Sequence, residues 1–273
     1  MQILLLLLII LLLLTAAYLF CLKPNTKRPQ QMAPFAKTYI AHRGFFDNTS
    51  NRPENSLAAF QKAAELGYGI ELDVQLTKDG KLVVFHDPSL ERMCGINQSL
   101  SDFTFQELQK FTLADSSQTI PLLSDVLILV NGRVPLVIEI KPEGNCIETA
   151  RQLSSLMEHY RGVYCIESFH PFVVAWFRKH QPHVLRGQLS TDYKKNHLKQ
   201  TPIIRFLLTN LLLNWYGRPD FIAYNHRYAS QPSYRVCRRL YPVVNAAWTI
   251  RSQAELDKAK SIFTIFIFDS FQP

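Results

Sequence analysis

Between Tyr39 and Phe268 short β-rich runs alternate with helical stretches, and that alternation leaves the chain very few folds. The runs are Tyr39–His42, Gly69–Leu76, Leu82–His86, Pro135–Lys141, Val163–Phe169, Val184–Leu189, Asp220–Tyr224, Val243–Trp248 and Thr264–Phe268. Repeated strand–helix units imply an α/β fold, a parallel sheet with helices outside it. Leu82–His86 follows the turn Lys78-Asp79-Gly80 closely and reads as the return arm of a hairpin. Eight strands remain, enough to close a barrel. The competing open doubly wound sheet would carry GxGxxG after its first strand, and none stands there. A chain of 273 residues has room for one barrel of ~250 residues besides an N-terminal apolar segment.

Within this frame the polar residues gather at strand ends. Gly69–Leu76 alternates, with Ile70, Leu72, Val74 and Leu76 on one face and Glu71, Asp73 and Gln75 on the other. The same period points Glu139 and Lys141 together while Ile138 and Ile140 pack against helices. His42-Arg43-Gly44 ends the first strand, and His86-Asp87 ends the hairpin. Pro53 to Leu66 reads as a helix with Leu57, Phe60 and Ala64 on one face and Gly67 as its stop. Each polar residue alone would pass as a surface charge or half of an ion pair. Together, two histidines, two cations and three carboxylates at one end of a parallel barrel mark the place where active sites lie. Converging carboxylates repel one another, and a divalent cation with oxygen ligands resolves the repulsion.

Residues Ile3–Leu22 are nearly all Leu, Ile, Ala and Phe, long enough for one helical crossing of a bilayer. A cleaved signal peptide would want a positive n-region, which Met1-Gln2 does not supply. Lys23, Lys27, Arg28 and Lys37 all follow the apolar run, so an uncleaved single-pass anchor over 1–22 places the rest of the chain in the cytoplasm. Residues 23–37, with Pro24, Pro29 and Pro34, read as a linker to a domain over 38–273. The net charge of +8 suits an anionic substrate or an anionic membrane. No basic stripe interleaved with aromatics argues for nucleic acid. The five cysteines show no CxxC pair or regular spacing and read as free thiols.

AHRG at 41–44, PENS at 53–56, GIELDVQLTKDGKLVVFHDPSLER at 69–92 and VIEIKP at 137–142 resemble the signatures of the glycerophosphodiester phosphodiesterase family. The resemblance runs from about residue 39 to 270 and is strongest in the first half. It implies a TIM (β/α)8 barrel with an insertion after the second barrel strand, here 77–119. It further implies Glu71, Asp73 and Glu139 as ligands of a divalent cation (Ca2+ or Mg2+) and His42 and His86 as the acid–base pair. Arg43 and Lys141 would hold phosphate oxygens, Glu54 would match an acidic residue after the first strand, and Trp248 would flank the glycerol moiety or pack in the core. The chain departs from the family at Cys94, often Thr, and at its last strand, where only Asp269 of the usual ending is recognisable. The eighth outer helix is missing after that strand, which leaves the segment before Tyr39 as a candidate cover.

Residues 201–216 form a second apolar stretch, preceded or interrupted by Lys194, Lys195, Lys199 and Arg205. Ile204, Leu207, Leu208, Leu211 and Trp215 make a helical stripe, which reads first as a buried barrel helix. The alternative is an interfacial helix resting on lipid. The resemblance implies metal-dependent hydrolysis of glycerophosphodiesters to sn-glycerol 3-phosphate and an alcohol. The rivals are a lysophospholipase D acting on membrane lysophospholipids and a non-catalytic phospholipid-binding barrel.

Overall fold

The computed structural model describes residues 1–196 and 200–273; Lys199 lies outside the described residues. Among the described residues nine strands form one sheet: β1 Ile40–Ala41, β2 Gly69–Leu76, β3 Leu82–Val84, β4 Leu136–Ile140, β5 Tyr164–Ser168, β6 Arg186–Ser190, β7 Phe221–Asn225, β8 Val244–Ile250 and β9 Ile265–Phe268. β3 alone runs antiparallel, paired to the end of β2 through Val74–Val84 and Leu76–Leu82. The others are parallel, and β1 pairs with both β2 and β9, which closes a TIM barrel.

Period two sorts the strand residues into two cores. Ile70, Leu72, Val74, Ile138 and Ile140 face outward and are buried with Phe60, Ala63, Val126 and Leu153 of the surrounding helices. Val137, Cys165, Leu189, Phe221, Ala223, Ala246, Ile265 and Ile267 fill the barrel interior. Gly187 stays a glycine because a Cβ there would lie 2.2 Å from the Phe221 ring. Residues 77–122 leave the barrel between β2 and β4 and bury a core of their own, Val83, Phe85, Leu90, Met93, Leu100, Leu108, Leu113 and Ile120.

Three differences from the sequence reading have clear physical causes. The helix read over Pro53 to Leu66 starts at Leu57, because Ser56 caps it by accepting from Ala59 N–H. Asn55 before it sits at φ 56°, outside helical space, so Pro53-Glu54-Asn55 is a loop at the barrel mouth. In the 23–37 segment, Pro29–Met32 and Ala33–Ala36 form two helical turns. They bury Met32 and Phe35 in the barrel interior beside Ile265 and Ile267, so this stretch stoppers the floor and meets the last strand from inside without covering its outer face. That cover comes from aromatic rings: Tyr39, Phe45, Tyr68 and Phe271 surround Phe268 at centroid distances of 5.1–6.4 Å.

The third difference is the stretch 201–216. A helix runs only over Pro202–Thr209, none of its residues is buried, and Ile203, Ile204 and Phe206 are exposed. The chain turns at Leu211, at φ 57°, and a further helical turn spans Asn214–Gly217. The expected buried barrel helix is therefore corrected to an exposed apolar one. The helix Gln2–Leu22 is apolar and long enough to cross a membrane, by length and composition. Only its last turn touches the barrel.

Candidate active site

The site is laid out along the inward faces of β1, β2 and β4 and on the loops that leave their carboxyl ends. Glu71 and Asp73 on β2 and Glu139 on β4 point inward by the alternation that sends Ile70, Leu72 and Ile138 outward. All three are buried, and each offers a carboxylate oxygen within 4.8 Å of the others. That spacing suits a hard divalent cation. Oxygen ligands at ~2.0–2.6 Å from one ion lie no further apart than about 5 Å, and three buried carboxylates without an ion would repel. The strain is visible in their acidities. Burial, then Asp73 and Glu139, pushes the Glu71 carboxyl well above its usual range. Burial also raises Glu139. Asp73 is held low against the same burial by Lys141, His86, Arg43 and a hydrogen bond from Asn55.

His42 follows β1, and its Nδ1 lies 2.9 Å from Asp269 Oδ2. An ionised carboxylate only accepts, so Nδ1 carries the proton and the Nε2 lone pair is free. Nε2 points toward the carboxylate cluster, 4.0 Å from Glu71 Oε2. Burial, with Arg43 next to it, lowers the His42 pKa from 6.5 to about 4, so the ring is neutral at physiological pH. Asp269 is anchored by Arg251 Nε at 3.0 Å and the Ser270 hydroxyl at 2.7 Å. His86 sits just past β3, with Nδ1 2.6 Å from Asp87 Oδ1. Gln75, the next inward residue of β2, donates to the carbonyls of Phe85 and Asp87 at 2.8 and 2.9 Å and so pins the segment that carries His86.

The turn after β1 explains Arg43-Gly44. Both residues have left-handed φ, 55° and 83°, and a Cβ on Gly44 would lie 2.9 Å from Ala59. The turn aims the Arg43 N–H at Glu71 Oε2, 3.0 Å away, while its guanidinium reaches Glu54 at 2.6 Å and Asp73 at 3.5 Å. Glu54 is no ligand of the acidic cluster. It is a clamp that also accepts two bonds from Arg92, at 2.7 and 2.9 Å, and one from Asn48. Lys141 donates to Glu139 at 2.9 Å and lies 3.4 Å from Asp73. Those carboxylates hold it protonated although its burial works the other way. Trp248, on β8 across the mouth, packs edge-on against Phe169 at 5.4 Å and leaves its Nε1 buried without a partner.

The structure thus gathers His42, His86, Arg43, Lys141, Glu71, Asp73 and Glu139 at one end of the barrel. Sequence reasoning missed Asn55, which donates to Asp73 Oδ2 at 2.9 Å, and the Asp269–His42 contact. It also missed Glu167, buried beside Glu139 in register with one oxygen unpartnered. The strand-face argument that found Glu139 would have found Glu167, two residues from inward Cys165. Asn55 gave no such signal, because its helix-like context hides a left-handed loop residue.

A closed parallel barrel with two histidines and a buried acidic cluster that could hold a cation at its mouth defines a TIM-barrel protein with its site at the carboxyl ends of the strands. Within that class the chain belongs to the glycerophosphoryl diester phosphodiesterase family, whose pattern matches residues 42–262. A glycerophosphodiester phosphodiesterase of Bacillus altitudinis is 37% identical over 165 residues, covering 56% of this chain and 66% of the relative. A lysophospholipase D of Homo sapiens is 29% identical over 157 residues, 53% of this chain and 48% of that protein. These matches span at most about two thirds of the length of either relative. Among solved structures, a glycerophosphodiester phosphodiesterase of Thermotoga maritima superposes with a TM-score of 0.65 at 26% identity, covering 85% of this chain and 95% of that one.

Proposed function

We propose that the chain hydrolyses glycerophosphodiesters, with a divalent cation, to sn-glycerol 3-phosphate and an alcohol. One observation carries the reading: Glu71, Asp73 and Glu139 converge within 4.8 Å, beside a neutral histidine whose tautomer is fixed by Asp269. Ca2+ or Mg2+ held by these three carboxylates would supply a Lewis acid for the phosphate oxygens. Arg43 and Lys141 contribute positive charge next to that cluster, where the phosphodiester's charge grows as the reaction proceeds. His42 Nε2 accepts a proton from the attacking hydroxyl, while His86 protonates the departing alcohol. Trp248 offers an apolar wall and an unpartnered donor to the glycerol moiety.

In the same reading the chain comprises an anchor over 1–22, a floor-closing segment within 23–37 and a catalytic barrel over 38–273 with 77–119 inserted. The anchor holds the barrel at the cytoplasmic face of a membrane, as the basic residues after it favour. The likeness to a lysophospholipase D and the exposed apolar residues Ile203 and Phe206 favour a membrane lysophospholipid as a second substrate class.

The test is an assay of the full-length protein, purified in mild detergent, against glycerophosphocholine, glycerophosphoethanolamine and lysophospholipids, with chelator or with added Ca2+ or Mg2+. Turnover that depends on metal is expected. Full turnover after exhaustive chelation, with metal content checked, would remove the cation from the mechanism. Binding without any turnover would leave a non-catalytic phospholipid-binding barrel.

A further inference from the structure

The apolar helix is built into the barrel at its last turn. The Tyr18 hydroxyl donates to Ser233 Oγ at 2.8 Å, the Leu22 carbonyl accepts from Asn214 Nδ2 at 3.1 Å, and Leu22 is fully buried. Further on, the Asn25 N–H donates to the Pro219 carbonyl at 2.8 Å, and Arg28 pairs with Asp220. Ser233 opens the helix that follows β7, so it stands on the mouth side; Pro219 and Asp220 lead into β7 and stand at the floor. The chain therefore descends from mouth to floor between residues 18 and 28. Followed backwards, the helix leaves the barrel at Tyr18, beside the mouth-side residue Ser233. Residues 2–17 are all exposed and extend about 24 Å at 1.5 Å per residue. A bilayer's hydrocarbon core is ~30 Å thick, so this free length spans it only if the barrel rim sits in the interface.

The rim beside the helix suits that position. Helix Pro202–Thr209 is fixed there by Ser190 Oγ at the end of β6, which donates to the Leu208 carbonyl at 2.9 Å. Ile203, Ile204 and Phe206 are 68%, 43% and 60% exposed. Lys194 and Lys195 are exposed close by in sequence, and Arg205 lies within the helix. Asn210, just after this helix, accepts from the same Ser233 hydroxyl that receives Tyr18, at 2.8 Å. The membrane helix and the apolar rim helix thus meet at one side chain. Apolar side chains with basic neighbours on one exposed surface match an anionic lipid interface. On the inner side, the Tyr193 N–H donates to Thr209 Oγ1 at 3.2 Å, and the Tyr193 ring packs against Phe169, which meets Trp248.

We propose that this rim is a bilayer-docking surface, through which the lysophospholipid considered above reaches the site while its acyl chain stays among the lipids. The proposal rests on the hydrolytic reading of the site given above. Water adds across the phosphorus–oxygen bond to the head-group alcohol. The alcohol leaves with a proton, and the acylglycerol phosphate monoester remains in the bilayer.

Full-length protein in vesicles containing anionic lipid tests this with two substrates, vesicle-borne lysophosphatidylcholine and soluble glycerophosphocholine. The double variant Ile203→Asp/Phe206→Asp, at exposed positions, should lose tenfold or more of the rate on the vesicle-borne substrate and keep its rate on the soluble one. In Phe206→Trp, the added tryptophan emission should be quenched by lipids brominated near the top of the acyl chain. Equal rates of variant and parent on the vesicle substrate, or an added tryptophan that brominated lipid leaves unquenched, overturn the proposal. Both results leave the hydrolytic reading standing if glycerophosphocholine is still cleaved. Failure to cleave either substrate sinks the hydrolytic reading and the proposal built on it.

Discussion

His42 owes its chemistry to neighbours far away in the chain. Asp269 accepts from its Nδ1, and Arg43 and the buried site keep the ring neutral, lowering its pKa from 6.5 to about 4. His42→Ala should cost roughly 10²–10⁴-fold in turnover, the usual worth of a positioned proton-transfer group. Asp269→Asn should lower kcat by roughly tenfold or more while KM moves little, because the ring loses its fixed tautomer and keeps its place. A change in KM alone would make Asp269 a binding residue. The same shift predicts a pH effect on stability. Between about pH 6.5 and pH 4 the unfolded chain carries a proton on His42 and the folded, metal-free protein does not. Unfolding then takes up a proton, so stability falls as pH drops through this window. Urea titrations of the metal-free protein across pH 4–7 should show a shallower slope for His42→Gln than for the parent. Equal slopes would place the proton uptake elsewhere.

At the scale of elements, the segment over 29–36 is the most informative. Its prolines and polar residues gave a linker in the sequence, yet Phe35 is fully buried and Met32 nearly so. Both side chains belong to the barrel interior with Ile40, Leu185 and Ile265, so the two helical turns complete the core from below. Phe35→Ala should destabilise the protein by about 3–5 kcal/mol, the cost of a buried phenyl and the cavity it leaves. Denaturation measured beside Phe172→Ala, a change at an exposed ring, checks this: the second variant should lose far less. Equal losses would mean that the floor plug contributes nothing beyond an average aromatic.

Over the whole molecule, the barrel gathers three buried carboxylates whose mutual repulsion Arg43 and Lys141 offset only in part. Ca2+ or Mg2+ should therefore raise the thermal midpoint of the metal-free protein in a concentration-dependent way, since a ligand of the native state alone stabilises by mass action. Glu71→Gln should abolish most of that response. A midpoint indifferent to both ions would argue against a cation at this cluster. The anchor is tested at the same scale. Uncleaved, it should keep the protein in the membrane fraction through an alkaline carbonate wash, with residue 2 or Met1 at the mature N-terminus. A mature chain starting near Tyr18 would identify the apolar run as a signal sequence.

The sequence by itself determined the barrel and which polar residues gather at its mouth. Strand alternation is local, so it assigned Ile70, Leu72 and Ile138 to the outer core and Glu71, Asp73 and Glu139 to the interior, and the barrel closes with those faces. Residue types at strand ends likewise brought out His42, His86, Arg43 and Lys141. What the tertiary structure alone decided are contacts between residues far apart or in irregular backbone. Asp269 reaches His42 across 227 positions, and Asn55 reaches Asp73 only because a left-handed φ breaks the helix that its neighbours suggest. Periodicity is blind to both. It was equally blind to the stretch 201–216, where an apolar stripe looks the same whether it meets a core or a lipid. Only the docking of Tyr18, Ser233 and Asn210 ties that stripe to the side of the molecule from which the apolar helix departs.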